Sequence, residues 1–91
     1  MTAADQWQWL HDPAHGQAVP APALQPGDLL FYATTPHDPA TIHHVAMAVG
    51  GGRMVEAYAQ GVPVRTVQVR RDGFYAAGRP ITAASYGGHD L

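Results

Sequence analysis

The chain has 91 residues, five of them basic and all Arg, against seven acidic residues, and it contains no cysteine. That length allows a single domain with a modest core, and a net charge of -2 excludes the basic footprint of a nucleic-acid binder. Disulfides, thiolate metal ligands and an internal thiol nucleophile are excluded together, no stretch is long enough to be a membrane span, and Met1–Trp7 lacks the basic and apolar regions of a signal peptide.

In chain order, Ala3 to Leu10 predicts a short helix with Thr2 as N-cap. Trp7 and Leu10 share a face of it, and Trp9 points elsewhere. His11 to Gly16 reads as a turn, because the residue before Pro13 is pushed out of the helical region. Val19 to Pro26 reads as extended and Pro-rich, and Pro26-Gly27-Asp28 as a tight turn with Asp28 in a capping role. Asp28 to Tyr32 is an apolar strand, and Ala33 to Ile42 a surface loop.

His44 to Val49 is the next strand, Gly50-Gly51-Gly52 a hairpin turn and Arg53 to Ala57 its return strand. After a turn at Gln60-Gly61, Val62 to Val69 alternates like a half-buried strand. Arg70 to Gly73 is expected to be a solvated turn, Phe74 to Ile81 a last strand broken at Gly78, and Thr82 to Leu91 a disordered tail. The expected architecture is α+β: a short N-terminal helix and an antiparallel meander of four or five strands, in one domain over residues 3–81.

The candidate chemistry sits in the central hairpin. Strand periodicity places His44, Ala46 and Ala48 on one face and Val45, Met47 and Val49 on the other. The bulky face suits a core, while the face with two alanines leaves space beside an imidazole. Glu56 is the natural partner of His44, and its side depends on the turn. A two-residue Gly51-Gly52 loop puts Glu56 on the Met47 face. A three-glycine loop closed by a bulge puts it opposite Ala46, on the His44 face. There, a carboxylate accepts the imidazole N–H and fixes the tautomer. A metal site built from His37, Asp38, His43 and Glu56 has no recognised ligand spacing, and neither a metal nor a cofactor is expected. Tyr58 and Arg53 carry no stronger warrant than surface positions.

Leu24 to Tyr32 (LQPGDLLFY), His44 to Gly50 (HVAMAVG) and Met54 to Ala57 (MVEA), in that order, resemble the NlpC/P60 family of cell-wall cysteine peptidases. The resemblance implies a reduced papain-like α+β fold, cleavage of peptide bonds in the peptidoglycan stem, and a secreted or cell-wall setting. It implies His44 as catalytic base and Glu56 as the polar third residue. It also implies a nucleophilic cysteine opening a helix well upstream of Pro26-Gly27-Asp28, which would fall before Met1. Ser85, the only serine, lies in the tail and is a poor substitute. The expectation is therefore the C-terminal half of a peptidase domain, inactive alone, whose partner is a cysteine-bearing segment or a second copy. The alternative is a non-catalytic module that binds cell-wall peptide, or a self-associating fragment.

Overall fold

A computed structural model of the chain describes residues 2–56 and 64–80. Helix α1 spans Ala3–Leu10 and opens on a capping box: the Thr2 hydroxyl accepts from the Asp5 N–H, and the Asp5 carboxylate accepts from the Thr2 N–H. Its Trp7 and Leu10 are buried, as their shared face predicts, and Trp9 is exposed, stacked on His15. Six strands follow among the described residues: β1 (Gly16–Val19), β2 (Leu29–Ala33), β3 (Ile42–Gly50), β4 (Arg53–Glu56), β5 (Arg65–Gln68) and β6 (Phe74–Pro80). Short 3-10 turns lie at Ala21–Ala23 and Pro39–Thr41, the second inside the expected loop. No helix among the described residues is long and apolar enough to cross a membrane.

The strands form one sheet in the order β1-β6-β2-β3-β4-β5, and every neighbouring pair is antiparallel. The class is the α+β expected, with six strands where four or five were expected. β2 to β5 form the meander, but β6 crosses back to pair with β2, and β1 then pairs with β6. The first strand escapes sequence reading because Gly16-Gln17-Ala18-Val19 has no strand-forming composition of its own and takes its conformation from β6. The reading of 57–63 and of the tail falls outside the described residues.

Gly78 does not break β6. It lies inside the strand because Leu10 packs on it: a Cβ there would stand 2.6 Å from Leu10 Cδ2. Gly16, at the start of β1, is hemmed in by backbone as well, since a Cβ would meet the carbonyl oxygens of Leu10 and Arg79 at 2.7 Å each. Both obstacles are backbone, so Gly16→Ala is expected to destabilise the fold by about 1–3 kcal/mol. A lowered urea midpoint checks this, and an unchanged midpoint contradicts it.

The sheet is buried on both sides at its centre. On the α1 side Trp7 and Leu10 close over Phe31, Ala33 and Ile42, with Trp7 edge-on to Phe31 and Tyr75. On the other side Leu30, Tyr32, Ala46, Ala48 and Met54 pack together with Leu24, Val67, Val69 and Phe74. Among the described residues, β2 is the only strand with four consecutive buried residues, which suits its unbroken apolar run.

This arrangement reverses the expected roles of the two faces of β3. Ala46 and Ala48 are each 4% exposed, whereas Met47 and Val49 are 46% and 42% exposed. The alanines are small because large neighbours, Leu30, Tyr32 and Met54, already fill that side. The bulky residues lie on the α1 side, where Val45 packs against the core but Met47 and Val49 stand outside it.

Candidate functional site

His44 enters the site from β3, directly opposite Tyr32 of β2. Glu56 ends β4, and the hairpin decides which way it points. Gly51 and Gly52 both have positive φ (64° and 73°), the requirement of a two-residue type I′ turn, and Gly50 pairs with Arg53. Taken alone, that turn would send Glu56 to the Met47 face. A register shift between Ala48 and Gly50 inserts one extra residue, so Met54 falls opposite Ala48 and Glu56 returns to the His44 face. The site uses the two-residue loop and the bulge together, a combination of the two alternatives.

The result is a buried ion cluster. His44 Nε2 and Glu56 Oε1 are 2.8 Å apart, with 11% of the His44 side chain and none of the Glu56 carboxylate exposed. Arg70 donates to both carboxylate oxygens, Nη2 to Oε1 at 2.7 Å and Nη1 to Oε2 at 3.1 Å. Arg65, opposite Glu56 in the β4–β5 register, reaches Oε2 through Nη2 at 3.2 Å. Tyr32 organises the far side. Its ring lies 5.8 Å from that of His44 and 4.9 Å beneath the Arg70 guanidinium, and its hydroxyl donates to the Arg70 carbonyl at 2.9 Å.

The Arg70 guanidinium, helped by His44 and Arg65, holds the Glu56 carboxyl at about 2 against the upward push of burial. Glu56 is therefore an anion at neutral pH and accepts the Nε2 proton. That fixes the neutral imidazole as the Nε2–H tautomer and puts the ring lone pair on Nδ1. The arrangement is an imidazole whose Nε2 is held by a carboxylate, a geometry suited to orienting a base. The 91 residues supply no thiol.

Arg70 corrects the expectation of a solvated Arg70-Arg71 turn: Arg71 is exposed, but Arg70 turns inward. Arg65 and Tyr32 were also not singled out from the sequence. Alternation along β5 would have pointed to Arg65 once its register with β4 was known, whereas nothing local distinguishes Arg70 from Arg71. Arg53 is exposed, as expected, and Tyr58 and Ser85 lie outside the described residues.

The proposed metal ligands do not converge. His37 and His43 are exposed, Asp38 caps the 3-10 turn through the Ala40 N–H, and Glu56 is engaged by Arg70, Arg65 and His44. No group of three His, Cys, Asp or Glu able to hold a metal ion occurs among the described residues.

Asp28 keeps its turn role and gains a second. Its carboxylate, 1% exposed, accepts from the Gln25 N–H and from Arg79 at 2.7 and 2.9 Å. The Arg79 guanidinium holds its pKa below the usual range, and Arg79 also donates to the Ala23 carbonyl. Gly27 and Asp28 bond to Ala48, which fixes the turn against β3.

A family model described as the NlpC/P60 family matches residues 2–77. The chain belongs to the NlpC/P60 family. Over 58 residues it is 36% identical to the peptidoglycan endopeptidase RipA of Mycolicibacterium smegmatis, a match covering 64% of this chain and 11% of that protein. Among solved structures it resembles the P60 domain of an antigen from M. avium subspecies paratuberculosis, with a TM-score of 0.64 and 28% identity over 86% of this chain and 50% of that one. It also resembles the peptidoglycan hydrolase RipB of Mycobacterium tuberculosis, with a TM-score of 0.63 and 28% identity over 86% of this chain and 34% of the other. The NlpC/P60 chain thus spans about a tenth of the curated relative and half or less of these solved chains.

Proposed function

We propose that this chain carries the base and the orienting carboxylate of a peptidoglycan stem-peptide endopeptidase site, His44 and Glu56, and that it is inactive without a thiol from another segment. The buried 2.8 Å contact between Nε2 and Oε1 carries the reading. Membership of the NlpC/P60 family supports the substrate class, as do the printed names of the RipA and RipB relatives.

In this reading Nδ1 of neutral His44 takes the proton of an attacking thiol. Glu56 accepts the Nε2 proton throughout and stabilises the imidazolium so formed. The thiolate sulfur bonds to the scissile carbonyl carbon, the C–N bond breaks, and His44 returns its proton to the leaving amine. Water then hydrolyses the thioester with His44 again as base, regenerating the thiol.

Incubation of the chain with peptidoglycan stem peptides, with products read by mass, is expected to show no cleavage. A cysteine-bearing segment, supplied in a longer product or on a second chain, is expected to permit cleavage that His44→Ala abolishes. Cleavage by the chain alone overturns the inactivity. Cleavage that survives His44→Ala in the completed protein overturns the assignment of the base.

A further inference from the structure

We propose that Arg70, clamped on Glu56 and held in turn by Tyr32, is the positioning residue that decides which nitrogen of His44 carries the proton. The inference rests on the reading of His44 as base and names the residue that keeps that base in its competent form.

Glu56 sits where burial alone favours the neutral carboxyl. A neutral carboxyl at this spot has an O–H to donate. It would present that proton to Nε2, which would then accept, and the ring proton would move to Nδ1, the atom required to receive a proton from the nucleophile. The hydrogen bond between His44 and Glu56 therefore has two polarities, and only one leaves a basic Nδ1.

Arg70 selects that polarity by geometry. Its two donors occupy both carboxylate oxygens at once, a fork that fits an anion and that a protonated carboxyl cannot fully match. The fork also fixes the carboxylate plane, so that Oε1 stays aimed at Nε2. Arg70 is itself held at both ends: Tyr32 lies under the guanidinium and donates its hydroxyl to the Arg70 carbonyl. The same Tyr32 ring lies beside His44, so a single side chain sets the spacing of base and clamp. Arg65 adds charge, but its side chain is 53% exposed and it meets the Glu56 carboxylate at Oε2, away from the oxygen that faces His44, so it contributes less to aim.

The test needs no nucleophile and uses the chain as it stands. Long-range 15N–1H spectra above neutral pH report the His44 tautomer, and exchange of the Nε2 proton with water reports how well it is held. The wild-type ring is expected to be the Nε2–H tautomer with a slowly exchanging proton. Arg70→Gln is expected to mix the tautomers and speed that exchange about tenfold or more, by a larger factor than it speeds amide exchange in β3 and β4. Arg70→Lys, which keeps the charge but not the fork, is expected to recover only part of the protection, and Arg65→Gln to change it little.

Unchanged His44 tautomer and exchange in Arg70→Gln overturn the inference. If that variant does not fold, Arg70→Lys decides, and wild-type behaviour there is equally fatal. A wild-type ring found as Nδ1–H instead removes the base reading itself, whatever Arg70 does.

Discussion

Glu56→Gln is expected to lower the unfolding free energy by about 3 kcal/mol, measured by urea denaturation at neutral pH. The substitution conserves volume, so no cavity contributes to the loss. What changes is polarity: the Gln amide must turn its NH2 toward Arg70 or toward His44, both of which are donors to the carboxylate. Glu56 ties together β3, β5 and the segment after β5, and its side chain is fully buried. A domain of this size has about 5–15 kcal/mol of total stability, so the variant should lose roughly a fifth to three-fifths of it. A loss below about 1 kcal/mol, the size of an exposed ion pair, would show that the cluster contributes little to the fold.

Acid should act through the same residue. The folded Glu56 carboxyl titrates at about 2 against an ordinary 4.5. A depressed value means that the folded state holds the proton less readily than the unfolded chain. The stabilisation is therefore complete above about pH 4.5, declines as the pH falls, and is gone below about 2. The gap corresponds to about 3 kcal/mol. Asp28, lowered by Arg79, adds to the loss in the same direction. Unfolding free energies are expected to be level from neutral pH down to about 5 and to fall steeply below about 4.5, with a shallower fall in Glu56→Gln. A profile that stays level to about pH 3 contradicts both carboxylate assignments.

The extent to which the chain explains itself differs from residue to residue. The boundaries of α1 were readable because the capping box, Trp7 and Leu10 act locally. The pairing of His44 with Glu56 was readable as one of two parities, since a strand side chain has only two sides to choose from and a run of three glycines announces a bulge. β1 was not readable, because four residues with Gly and Ala among them become a strand only when β6 lies alongside. The burial of Ala46 and Ala48 was read backwards for a related reason: size along β3 says nothing about how full the opposite side already is. Arg70 was invisible because its direction is set by Tyr32, 38 residues away.

The double duty of Glu56 bears on how such sites persist. His44 and Arg70 meet on the buried carboxylate of Glu56, so the pair proposed as base and orienting group also crosslinks the sheet. Selection for a folded domain and selection for a working one therefore press on the same side chains. Substituting this histidine, this glutamate or their arginine would therefore register as a loss of fold before it could register as a loss of chemistry.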